Sequence, residues 1–437
     1  LYTSAAPLLD LGDGPYVPQT AFSWGGVRLK DLPAAPMAAI GQLRSYQPPA
    51  RERNTVTPWG AGQSLYHVPE LPYKVEPVPV EPVPPYQPDR RITYIIMRSL
   101  NCTALPGGEP LQLADINISC DLDTFSWRLS AQVLGQASMD LLKADAGGNR
   151  ELLVEINGHT WRFFVGSYES SRRVSDSSVE RRWSITGYSV SQYLAAPYAP
   201  KRTRSISNTT AVQAATDELF GTGFALQWDT SLLSDWMLPN AVYSYQELTP
   251  MSAIKRLAEA VGAVVQAALI GPSVVVMPRY KVPPWRLRYK QMDRTIFEGQ
   301  VLSEGGRRDA RSLINSVMVS GEQEGVAMTV TRQGTAGNKP GADIVEAWLS
   351  DEPANRARGL REIASGGDWD VYTLELAIPE SNAQPGLLLP GHTVAMVNAD
   401  NSEAWRGYVT STSISAPGKN SPKVRQRVTV EVPVSHA

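Results

Sequence analysis

Four histidines, two cysteines and two close carboxylate pairs are the first residues to weigh for chemistry in this 437-residue chain. His67 lies among prolines and His436 near the last residue, and neither has a partner at metal-ligand spacing. His159 falls just past an Asn157-Gly158 turn and His392 within a Pro390-Gly391 turn, so both read as turn residues. Cys102 and Cys120 are the only thiols, with strands expected beside them; they read as a buried thiol pair, with a disulfide as the alternative. Asp121/Asp123 and Glu322/Glu324 are carboxylate pairs of the sort a glycosidase needs, but turn-like surroundings read as solvated loops. No H-E-x-x-H, P-loop, G-x-S-x-G elbow or post-strand G-x-G-x-x-G occurs. No catalytic residue, metal ligand or cofactor site is expected.

Residues 151–205 are mildly basic, with eight Lys/Arg against five Asp/Glu, including Arg172-Arg173, Arg181-Arg182 and Lys201-Arg202. A nucleic-acid surface would want aromatic platforms beside them, and none is evident, so salt bridging between subunits is the preferred reading. Net charge of −2 also argues against a dedicated nucleic-acid binder. Length suggests two to four domains at about 100–200 residues each. The chain opens at Leu1, which reads as a trimmed or partial product, and no secretory n-region precedes an apolar h-region. The one stretch suggesting a membrane span, Ala260–Met277, is broken by Gln266 and Gly271-Pro272. A soluble or particle-bound protein is expected.

The elements that must position any site centre on residues 241–280. Thr249 is a good N-cap, Pro250 suits the first helical position, and Ile254, Leu257, Ala258 and Val261 make one apolar face. Gly262 should stop this helix in a left-handed conformation. Strands Ala263–Leu269 and Val274–Met277 follow, with Gly271-Pro272-Ser273 as the turn.

Before this unit, residues 1–90 carry 16 of the 34 prolines, and Lys74–Asp89 is nearly pure polyproline II material. The segment reads as an extended linker or as an arm laid along a neighbouring subunit. Its aromatic residues, Trp24, Trp59, Tyr66 and Tyr73 among them, favour a docked arm. Strands are expected at Ile92–Arg98, Asp115–Cys120, Ser126–Val133, Glu151–Ile156, Trp161–Gly166 and Arg182–Tyr188. Asn157-Gly158 is a strong type I′ hairpin signal between two of them. A capped helix over Asn208–Phe220, with Val212, Ala215 and Leu219 inward, leads to a strand at Phe224–Trp228. Further strands are expected at Asn315–Ser320, Val326–Thr331, Val371–Ile378, Thr393–Val397, Trp405–Ser413 and Arg427–Val432, with a helix over Pro353–Ala364.

Two phrases carry a family resemblance. TPMSAIKRLAEAVGAVVQAALIGPSVVVMPRY, with its Ala260-Val261-Gly262 step and Val276-Met277-Pro278 closure, resembles the small α/β domain of tailed-phage baseplate hub proteins. These form the late-control-D family, whose relatives include the type VI secretion spike. Leu387–Val397 (LLLPGHTVAMV) is similar to the L-x-P-G-x-x-V phrase that enters the last barrel strands of such hubs and of tail-tip proteins. With the helix at 353–364, the resemblance covers roughly residues 200–430.

The resemblance implies a mainly β fold with an α+β insertion: two antiparallel tube-like β-barrel domains and a small α/β domain between them. The corresponding boundaries are an arm at 1–90, a first barrel at 91–200, the α/β domain at 201–300 and a second barrel at 301–437. It further implies a structural, non-enzymatic homotrimer in the virion tail tip, assembled in the host cytoplasm. Expected neighbours are the tail tube or distal tail protein, a fibre, spike or tip protein, and the tape measure protein. DNA would pass during genome ejection without specific binding, along a neutral or acidic lumen. Iron–sulfur clusters of some tail-tip relatives are not carried over, because two cysteines fall short of four. The other functions open at this stage are a receptor- or carbohydrate-binding β protein, suggested by 11 tryptophans, and a tail-associated cell-wall hydrolase.

Overall fold

The computed structural model describes residues 99–145, 148–175, 178–240, 242–322, 326–379, 384–417 and 423–434. The arm at 1–90, with Trp24, Trp59, Tyr66 and Tyr73, lies outside the described residues, as do the expected strand Ile92–Arg98, His67, His436 and Glu324.

Alternating apolar and polar residues, with period two, build the first sheet segment. It comprises β1 (Leu100–Leu105), β2 (Leu113–Asp121), β3 (Arg128–Val133), β4 (Glu151–Ile156), β5 (His159–Ser175) and β6 (Ser178–Ser189). A short helix, α1 (Gln136–Leu142), joins β3 to β4. The strands pair antiparallel in the order β1-β4-β5-β6-β3-β2. On β4, Leu152, Val154 and Ile156 are buried while Glu151, Leu153 and Glu155 are only half-covered. They pack with Ile118, Leu129, Phe163 and the edge-to-face pair Trp127–Trp161, whose rings lie 6.3 Å apart. The outer edge of β1 is met by the loop before β2, where Leu111 N–H donates to Cys102 O at 2.8 Å. At the β4–β5 turn, Asn157 (φ +50°) and Gly158 (φ +77°) take the left-handed values a type I′ turn demands. The Asn157 side chain is buried and donates to Ile378 O at 2.8 Å, so this turn is fastened to the C-terminal part of the chain.

The central stretch holds β7 (Arg202–Ile206), β8 (Thr209–Thr210), α2 (Ala211–Leu219), β9 (Ala225–Trp228), β10 (Met237–Leu238), β11 (Tyr243–Leu248), α3 (Pro250–Ala260), β12 (Ala263–Ala267) and β13 (Ser273–Pro278). Thr249 caps α3 by accepting from Ser252 N–H at 3.3 Å, and Gly262 ends it at φ +73°. Ile254, Leu257 and Ala258 are fully buried, as the apolar spacing requires. Gly262 is doubly constrained, because a Cβ there would lie 2.6 Å from the Arg361 side chain. β12 and β13 form the expected hairpin, and β9 adds in parallel to β13. Gln266, the polar residue in this apolar run, is buried for a reason. Its Nε2 donates to the carbonyls of Asp121, Leu122 and Thr124 at 3.1, 2.8 and 3.1 Å, which ties the hairpin to the turn after β2.

The remainder comprises β14 (Arg294–Phe297), β15 (Val301–Asp309), β16 (Ser316–Gly321), β17 (Met328–Thr331), β18 (Ile344–Glu346), α4 (Glu352–Ser365), β19 (Trp369–Ala377), β20 (Thr393–Val397), β21 (Glu403–Ala416) and β22 (Arg425–Pro433). Asp351 caps α4 by accepting from Ala354 N–H. α4 covers the small sheet β17-β16-β18, and close approach at Gly359 leaves no room for a Cβ, which would meet Val330 at 2.6 Å. β21, β22, β19 and β15 pair antiparallel in that order, while β20 lies between β21 and the parallel β14. β2 pairs with β21 from Ile116↔Ala416 to Asp121↔Ser411. Twelve strands therefore form one hydrogen-bonded sheet. The fold is mainly β with few helices.

Candidate functional site

Among the described residues, those first weighed for chemistry do not converge. Cys102 and Cys120 are free, buried thiols, and burial pushes them up to about 12 and about 11, which leaves both inert as nucleophiles. Asp121 Oδ1 accepts from Asp123 N–H at 2.9 Å and Asp123 pairs with Arg279, so this acidic pair shapes a turn rather than a cleft. Among the described residues no three of His, Cys, Asp or Glu come together as a metal set, and no helix is long and apolar enough to cross a membrane. His159 is lowered by burial and lies 6.3 Å from the Trp161 ring.

His392 closes the Pro390-Gly391 turn by accepting from Leu389 N–H at Nδ1, 3.2 Å away. Burial, with Lys281 nearby, lowers it to about 4. A base held below its unfolded value costs nothing while both states are neutral, above about pH 6.5. Below that, the unfolded chain takes up a proton that the folded chain refuses. Stability should fall from about pH 6.5 down to about 4, by about 3 kcal/mol from this group at 1.36 kcal/mol per unit. Denaturation of the parent and of His392→Asn across this range would check it: the variant should lack that part of the slope.

One constellation has the perturbed groups of an active site but is closed to solvent. Glu218 is wholly buried on α2, accepting from the hydroxyls of Tyr243 (2.9 Å) and Tyr245 (2.8 Å) and from Arg204 Nη1 (2.9 Å). Arg202 Nη1 lies 3.6 Å from its other oxygen. Burial, then the Glu218 charge, raises Tyr243; burial and the hydrogen bond to Glu218 raise Tyr245. Perturbed groups of this kind often mark active sites, but this carboxylate is sealed from solvent. It holds α2 against β7 and β11. The sequence reading placed Val212 inward with Ala215 and Leu219; the structure instead buries Ala211, Ala214, Ala215, Glu218 and Leu219 and leaves Val212 half-covered.

What the structure does display is exposed strand. β4 covers β5 only through Phe164, and β3 covers β6 only from Trp183 onward, so the rest of the β5–β6 hairpin extends past both. Tyr168 is 52% exposed and Val174 64%. Arg172 stands directly opposite Arg181, two pairs along from Ser170↔Trp183 and four from Tyr168↔Ile185, so the three pairs share one face. The Arg181 guanidinium lies 6.0 Å from the Trp183 ring. The sequence showed no aromatic platform beside these arginines; the hairpin register brings Trp183 next to Arg181. Like charges directly opposite destabilise a hairpin.

A second exposed strand ends the sheet. Among the described residues β15 pairs with β19 alone, and Leu302 through Arg308 are exposed on both faces. Among the described residues its outer row of N–H and C=O groups has no partner strand, and such a row is a template for one. No local signal marks this strand, because SEGGRRD carries neither alternation nor β-formers.

This fold occurs in solved tail proteins. The prophage MuSo2 43 kDa tail protein from Shewanella oneidensis superposes with a TM-score of 0.52 at 16% identity, covering 76% of this chain and 98% of that one. The tail protein from Neisseria meningitidis MC58 gives 0.51 at 12% identity, covering 76% and 96%. No protein-family model matches the chain, and no curated protein matches it in sequence. The likeness is one of fold, and it agrees with the hub resemblance read in the sequence.

Proposed function

We propose that the chain is a structural hub at the end of a phage tail tube, assembling as a C3 homotrimer. Each copy would supply two tube-like β barrels (91–200 and 301–437), so that three copies present six similar domains to a sixfold tube and threefold symmetry to a fibre, spike or tip. The α/β domain (201–300) would sit between them, with the tube or distal tail protein above, and tape measure protein and DNA passing through. The observation that carries this reading is the shared fold with two tail proteins over nearly their whole lengths. The carbohydrate-binding alternative draws no support from the tryptophans, since all nine described ones are buried or half-buried.

The N-terminal arm is the extending part of the proposal. Residues 1–90 lack core-building periodicity, and Trp24, Trp59, Tyr66 and Tyr73 would fill pockets on neighbouring protein, with proline lowering the entropy lost on docking. Deleting residues 1–73 should leave thermal unfolding of the β regions unchanged while weakening attachment of the hub to its neighbours in reconstituted tails. Truncated chains that assemble into tails of undiminished stability would remove the arm from the proposal.

A further inference from the structure

A groove of about 510 Å³ lies between the end of α3, the end of β13 and α4. Leu232, Val261, Pro278, Pro283, Ala357 and Leu360 make its apolar walls. Leu232 is 53% exposed, so part of this apolar lining is open to water. Arg279, Lys281, Arg356 and Arg361 also line it, against one carboxylate, Glu352. Each cation has an acid partner within the chain, Asp123, Asp293, Glu352 and Glu362 respectively. A guanidinium offers five donors, so one carboxylate leaves capacity for a second. Arg361 Nε is buried with no hydrogen-bond partner among the described residues.

The occupant should therefore be apolar along one side and carry carboxylates on another. The chain contains such a segment in Val75–Tyr86, VEPVPVEPVPPY. Polyproline II has three residues per turn, which would align Pro77, Val80, Val83 and Tyr86 on one ridge. Glu76 and Glu81 fall on the other two ridges. Proline-rich segments recognise apolar grooves in this form because little entropy remains to be lost.

We propose that the groove binds the Val75–Tyr86 segment of a second copy of the chain, with its apolar ridge inward and Glu76 and Glu81 toward the cationic rim. This rests on the oligomeric reading above, since it requires a second copy at hand. The test uses the full chain with a photoactivatable benzophenone side chain at position 80, assembled from mixed light and heavy isotopic copies and irradiated. Cross-links should join position 80 of one copy to Ala357, Leu360 or Pro283 of another. Glu76→Lys with Glu81→Lys should lower their yield several-fold. Cross-links to any other surface, cross-links confined to one copy, no cross-links, or indifference to the two charge reversals would each overturn the assignment. The oligomeric mass of the same sample separates the two claims: a trimer without these cross-links removes only the groove, and a monomer removes both.

Discussion

Glu218→Ala should cost about 3–5 kcal/mol of folding stability, the range for a buried charge pair broken from one side. The substitution leaves the Arg204 guanidinium and the Tyr243 and Tyr245 hydroxyls facing a cavity where the carboxylate stood. Glu218→Gln keeps an acceptor oxygen but loses the charge, so it should fall between the parent and the alanine variant. Denaturant midpoints at neutral pH measure this directly. A loss below about 1 kcal/mol for the alanine variant would mean that the network is not what joins α2 to β7 and β11.

The second large effect separates folding from assembly. Arg172→Glu places a carboxylate directly opposite Arg181 and turns a repulsive cross-strand pair into an attractive one. The isolated fold should be unchanged or stabilised by about 0.2–1 kcal/mol. If the hairpin meets an acidic surface in the assembly, the same change should weaken association at least about ten-fold, or about 1.4 kcal/mol. Sedimentation over a concentration series reads association, and thermal unfolding reads the fold. Unaltered association would remove the hairpin from the interface.

Local signals made much of this fold legible. Thr249, Pro250 and Gly262 bound α3 as a cap, a first-turn proline and a left-handed stop must, and Glu151–Ile156 and Thr393–Val397 stand at their expected limits. Strand ends were less visible where the apolar pattern faded. β5 runs nine residues past Gly166, since Ser167–Ser175 pair with β6 beyond the reach of the core. β15 escaped for the same reason, with exposure on both faces removing the alternation that marks a half-buried strand. The β2–β21 pairing joins residues nearly 300 apart, as in the 3.1 Å contact from Ser413 to Asn117 (|i−j| = 296), and no local pattern encodes it.

Glu218 is the instructive omission. It follows Ala214 and Ala215 at i+4 and i+3, and so sits on the apolar stripe of α2. A charged residue on a helix ordinarily faces solvent. The available signal was the flanking pattern, Arg202 and Arg204 on one strand and Tyr243 and Tyr245 on another, each alternate pair presenting partners on one face. Similarly, Gln266 reads in sequence as a break in an apolar run, and its role emerges only with the three carbonyls it binds.

The most direct test of the hub proposal is a reconstruction of the intact tail by electron cryomicroscopy, without imposed symmetry, with this chain located in the map. Three copies are expected at the end of the tube, each contributing two of six similar β domains around the channel. Six copies in the ring, or a position on a fibre away from the tube, would contradict the proposal.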